Sequence, residues 1–136
     1  MNEKPTILLV DDEQKVLDLI TFRLQLLGYR VITAQSGEDA LSLAETHNPD
    51  LIILDVTMPG LDGVTACSHL KKSETSRGIP VLMLTARSET EDINKAMSAG
   101  ADDYVVKPYD PTVLQMKIQR HLGAHKAGSG RGRGSA

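Results

Sequence analysis

Five short aliphatic runs alternate along the chain with stretches whose apolar residues recur at helical spacing. Ile7-Leu8-Leu9-Val10 is a continuous run, the pattern of a strand covered on both faces. Val16, Leu17, Ile20, Leu24 and Leu27 then follow a helical period that Gly28 stops. Arg30-Val31-Ile32-Thr33-Ala34 is the second predicted strand. Ser36 and Asp39 have capping-box spacing and open a helix that turns Ala40, Leu41, Leu43 and Ala44 inward. Asn48-Pro49-Asp50 leads into Leu51-Ile52-Ile53-Leu54, the most apolar run and so the expected centre of the sheet. Asp62-Gly63 begins a third helix ending near Lys72, and Gly78-Ile79-Pro80 precedes Val81-Leu82-Met83-Leu84. Ser88 and Glu91 form a second capping pair for a fourth helix that stops at Gly100. Asp103-Tyr104-Val105-Val106 is the fifth strand. Asp110 caps a last helix, with Pro111 at its first position, Val113, Leu114, Ile118 and Leu122 inward, and Gly123 as its stop.

This alternation predicts an α/β fold: a doubly wound parallel sheet with right-handed crossovers and helices on both faces. Five strands and five helices could take the flavodoxin-like order 2-1-3-4-5, in which ligands bind at the carboxyl ends of the central strands. The chain length, 136 residues, suits one domain, expected over 1–122, with 123–136 as a flexible Gly-rich tail or linker.

Charge sharpens this division. The net charge is −3, yet the last fourteen residues hold Lys126, Arg131 and Arg133 and no acid, so the body alone carries −6. An acidic body argues against direct nucleic-acid binding and against anionic lipid. A single cysteine, Cys67, cannot form an internal disulfide, which fits a reducing compartment. No apolar run approaches the roughly 20 residues that span a bilayer, and the N-terminus lacks a signal-peptide layout. The expected location is the cytoplasm.

The residues leaving the strands carry the chemistry. Strand one exits through Asp11-Asp12, strand three through Asp55, strand four through Thr85, and strand five through Lys107-Pro108. Each has an ordinary reading alone: helix caps, a turn residue, a solvated lysine. Together they would gather three carboxylates, a hydroxyl and an ammonium at one sheet edge. Two carboxylates about 4 Å apart repel by about 4 kcal/mol at an effective dielectric near 20, so the group calls for a proton or a bound cation. An all-oxygen set with room for water and a phosphate oxygen suits Mg²⁺, whereas zinc would want His or Cys. The set describes a magnesium-assisted phosphoryl site with a carboxylate nucleophile.

At these motifs the chain resembles the receiver domain of bacterial two-component response regulators, from about Thr6 to Leu122. The resemblance rests on Ile7-Leu8-Leu9-Val10-Asp11-Asp12, Leu54-Asp55-Val56-Thr57-Met58-Pro59-Gly60, Leu84-Thr85-Ala86, Gly100-Ala101-Asp102-Asp103-Tyr104 and Lys107-Pro108-Tyr109. It implies a signalling switch, not an enzyme with an external substrate, in which Asp55 takes a phosphoryl group from a phosphohistidine of a sensor kinase or phosphotransfer protein. It implies that Asp12, Asp55 and the Thr57 carbonyl bind Mg²⁺, with Asp11 acting through water. Lys107 would pair with a phosphoryl oxygen, and its bond to Pro108 would be cis. Thr85 would swing onto the phosphoryl group and Tyr104 would turn into the vacated space, changing the surface of helix four, strand five and helix five. That surface would control an output domain, a target protein or a phosphorylation-dependent homodimer. Thr57 and Arg87 would flank the path of hydrolytic water and favour slow loss of the phosphoryl group. Subfamily features are mixed: the fourth- and fifth-strand motifs look like receivers preceding winged-helix domains, but Val113 stands where that group usually has a glutamate.

Other classes fit less well. A hydrolase with an aspartate nucleophile typically has a second acid two residues on, where this chain has Thr57. A flavodoxin-like cofactor module needs a phosphate-cradling loop where Asp11-Asp12-Glu13 would repel phosphate. A degenerate receiver would lack some of the five site residues. The rest read as structural: Cys67 as packing on helix three, His47, His69, His121 and His125 as solvated, and Met58, Met83, Met97 and Met116 as core or loop filling.

Overall fold

The computed structural model describes residues 4–58, 60–85 and 90–134, with backbone alone at 90, 92 and 124–134. The elements are β1 (Thr6–Val10), α1 (Gln14–Leu26), β2 (Arg30–Ala34), α2 (Gly37–His47), β3 (Leu51–Asp55), α3 (Gly63–Lys72), β4 (Val81–Thr85), α4 (Thr90–Ser98), β5 (Asp103–Val106) and α5 (Pro111–Gly134). All strand pairs are parallel and the order is β2-β1-β3-β4-β5, the flavodoxin-like doubly wound sheet with five helices.

The period-2 geometry of the strands splits the apolar residues between two layers. Leu8, Val10, Ile52, Leu54, Val81 and Met83 face Ala40 and Ala44 of α2, Ala66, Cys67 and Leu70 of α3, and Ala96 of α4. Ile7, Leu9, Leu51, Ile53, Leu82 and Leu84 face Leu17, Ile20 and Leu24 of α1 and Leu114, Ile118 and Leu122 of α5. Small residues on α2 and α3 let those helices lie close to the sheet.

Caps define most helix ends. The Ser36 hydroxyl accepts from the Asp39 amide at 3.1 Å, the Asp62 carboxylate from Thr65 at 2.8 Å, and the Asp110 carboxylate from Thr112 at 2.8 Å. Gly28, at φ +93°, closes α1 while the Tyr29 amide reaches back to the Leu24 carbonyl. Ser88, the expected cap of α4, lies outside the described residues.

One expectation needs correction. α5 does not stop at Gly123 but continues to Gly134. Gly123 lacks the positive φ of Gly28 and Gly100, and a glycine with helical backbone costs a helix only about 1 kcal/mol.

Candidate functional site

The sheet topology sets β1 and β3 side by side at the centre, with β4 next to β3, so their carboxyl ends open into one crevice. Asp11 leaves β1 with its amide still bonded to the Ala34 carbonyl at 3.1 Å, and its Oδ1 accepts from the Glu13 amide at 2.9 Å. Asp55 is the last residue of β3, and its Oδ1 accepts from the Thr57 amide at 3.2 Å. Asp11 and Asp55 are buried while Asp12 is exposed at the rim. A carboxylate oxygen from each of the three lies within 4.8 Å of the other two.

Lys107 enters from the end of β5. Its ammonium donates to Asp11 Oδ2 at 3.1 Å and to Asp55 Oδ2 at 3.2 Å. Its amide donates to the Thr85 carbonyl at 2.6 Å, and the Lys107–Pro108 bond is cis. Thr85 ends β4 and is 2% exposed. Asp11, Asp12, Asp55 and Lys107 therefore converge at the strand exits, with Thr85 joined to them through its backbone contact to Lys107. Thr57 lies at the exposed rim of the same loop. Arg87 lies outside the described residues.

The electrostatics of this cluster are unbalanced. Burial pushes the Asp55 carboxyl up, to about 6, and the Asp11 charge adds to the rise; Lys107 and the Thr57 amide offset only part. Burial alone would lower the Lys107 pKa, but the Asp55 and Asp11 carboxylates outweigh it and hold the ammonium above its ordinary range. One ammonium against three carboxylates leaves a deficit of positive charge. The donors are all hard oxygens, and one of them faces solvent at an open rim. That set fits Mg²⁺, with its remaining positions left for water and a phosphate oxygen.

The face of β5 and α5 holds a second network, seated at the amino-terminal end of β5. Asp103 Oδ1 accepts from the Tyr104 amide at 2.8 Å and from the Lys117 ammonium at 3.1 Å; Oδ2 pairs with His121 Nε2 at 2.9 Å. Burial opposes ionisation of Asp103, but His121, the Tyr104 amide and Lys117 together pull its pKa below the usual value. His121 is thus a half-buried partner of Asp103 and not the solvated residue expected. The signal was available: Lys117 and His121 stand four apart, on one face of α5, opposite an acid on β5. Gly63 opens α3, as its sequence position suggests. A methyl group there would overlap the Asp55 carbonyl oxygen and lie 2.8 Å from Val56 Cα, so glycine lets α3 begin hard against the site. Met97 and Met116 are exposed rather than core, whereas Met58 and Met83 are buried and Cys67 packs fully inside.

Among the described residues no helix is long and apolar enough to cross a membrane. Residues 7–119 match the family described as the response regulator receiver domain. The chain is 44% identical over 122 residues to the alkaline phosphatase synthesis transcriptional regulatory protein PhoP of Bacillus subtilis, covering 90% of this chain and 49% of that protein. It spans about half the length of the curated relatives it matches. Its fold superposes on the receiver domain of a sensor histidine kinase from Pseudomonas aeruginosa, solved with a magnesium ion coordinated in the active-site cleft. That pair has a TM-score of 0.83 and 35% identity, covering 89% of this chain and 99% of the other. A chemotaxis protein CheY4 from Vibrio cholerae gives a TM-score of 0.82 at 32% identity, over 87% of this chain and 98% of that one. With the crevice, its ammonium and the strand order in place, the chain belongs to the receiver domains of response regulators, the regulated components of two-component signalling.

Proposed function

We propose that this receiver is switched by transient phosphorylation of Asp55. The observation carrying the proposal is the trio of carboxylates within 4.8 Å, bridged by Lys107 at 3.1 and 3.2 Å. A carboxylate oxygen of Asp55 attacks the phosphorus of a phosphohistidine on a sensor kinase or phosphotransfer protein. A P–O bond forms as the P–N bond breaks, and the electron pair stays on the imidazole nitrogen. Asp12, Asp55 and the Thr57 carbonyl would hold Mg²⁺, with Asp11 acting through water. When bound, the ion supplies neutralisation of the charge that builds on the transferring oxygens.

Lys107 exchanges part of its pairing with Asp55 for a phosphoryl oxygen, and Thr85 donates its hydroxyl to another. Movement of Thr85 opens space for Tyr104, which alters the face of α4, β5 and α5. That face would then act on an output domain or target protein in the cytoplasm, or on a second receiver. Residues from 123 onward would serve as a tail or linker. Self-dephosphorylation would be slow, since Thr57 offers only a short hydroxyl to orient water.

Magnesium titration tests the core of this reading. Asp12→Ala is expected to weaken Mg²⁺ binding at least tenfold, and Glu13→Ala less than twofold, because only the first removes a ligand. Equal losses for the two variants would contradict the assignment.

A further inference from the structure

Lys117 on α5 makes three contacts at once, all at the residue proposed to turn or next to it. Its ammonium donates to the Tyr104 carbonyl at 2.6 Å and to Asp103 Oδ1 at 3.1 Å, and lies 4.8 Å from the centre of the Tyr104 ring. The lysine is itself anchored, since Asp103 is fixed from its other oxygen by His121 at 2.9 Å, with Arg120 at 4.0 Å. Both Lys117 and Asp103 are mostly shielded, with side chains 18% and 16% exposed, so these contacts are weakened by solvent less than a surface pair would be. The Tyr104 ring is only half-buried, packed against the edge of the core under α2, α3 and α4.

We infer that Lys117, seated by Asp103 and His121, is a positioning residue that holds Tyr104 in its resting place and so sets how readily the switch turns. This rests on the reading of Asp55 and Tyr104 given above. The backbone contact fixes Lys117 relative to β5, and the ring contact is the part that a turn of the tyrosine must break. A cation over a ring face attracts it through the ring quadrupole. If that attraction exists only in the resting state, losing it shifts the population toward the turned state. Any anion that binds the turned state better then binds more tightly.

The test is a thermodynamic cycle with beryllofluoride and Mg²⁺, the anion standing in for the phosphoryl group. Its affinity would be measured by titration for the full chain, Lys117→Met, Lys117→Arg, Tyr104→Leu and the Lys117→Met/Tyr104→Leu double variant, with thermal unfolding recorded for each. Lys117→Met should bind about threefold to tenfold more tightly than the unaltered chain. Lys117→Arg should stay within about twofold, because it keeps a cation over the ring. In the Tyr104→Leu background the lysine substitution should have no effect on affinity. A purely structural role would lower the unfolding temperature and leave the affinity alone, which would overturn the inference. So would a tightening that persists undiminished without the Tyr104 ring. Failure of the unaltered chain to bind beryllofluoride at all would instead overturn the phosphoacceptor reading, and the inference with it.

Discussion

Asp55 is held in a setting that disfavours its own charge. It is buried beside Asp11, and Lys107 shared between the two does not restore balance, so its carboxyl rises to about 6. A group whose folded pKa exceeds the unfolded value stabilises the fold below the unfolded pKa and loses that contribution as pH rises through the folded one. For Asp55 the window runs from about 4 to about 6. In metal-free protein, Asp55→Asn should therefore raise unfolding stability above pH 6, by about 1–3 kcal/mol. The gain should shrink as pH falls toward 4. Denaturant titrations in chelator at several pH values check this; a substitution that destabilises at neutral pH would refute the imbalance. The same imbalance makes the crevice receptive to a divalent cation.

At the scale of elements, much of the architecture was legible because aliphatic runs and caps agree. Ser36, Asp62 and Asp110 each cap or open the helix the sequence assigns them, and the most apolar run is the central β3. The departures come from effects that periodicity does not encode. Gly123 resembles Gly28 in sequence, but only the latter adopts the left-handed backbone that ends a helix. His121 finds Asp103 because α5 lies along β5; the four-residue spacing of Lys117 and His121 puts both on one face, but which strand that face meets is set by packing. Likewise the Asp62-Gly63 pair announced a helix start but not that the chain crowds Asp55. Gly63→Ala should cost about 1–3 kcal/mol, since the methyl group meets backbone rather than a yielding side chain. It should also reduce Mg²⁺ affinity by displacing the end of β3, where Asp55 sits. Gly123→Ala meets nothing within 4 Å and should stabilise by up to about 1 kcal/mol. Chemical denaturation with parallel magnesium titration separates the two; equal effects would show that the close approach at Gly63 does not matter.

Across the whole molecule, the parallel order brings the exits of β1, β3, β4 and β5 to one edge, so local chemistry at Asp55 adjoins a surface on α4, β5 and α5. Candidate ligands were readable from sequence because strand ends in such a sheet converge by topology. The hold on Tyr104 by Lys117 was not, because it depends on side-chain reach between two elements. Asp55 as the group that accepts phosphate can be checked by intact-mass spectrometry after incubation with acetyl phosphate. The unaltered chain should gain a single phosphoryl adduct with Mg²⁺ present and none with chelator, and Asp55→Asn should gain none under either condition, since an amide lacks the nucleophilic carboxylate oxygen. The same adduct on the Asp55→Asn chain would contradict it.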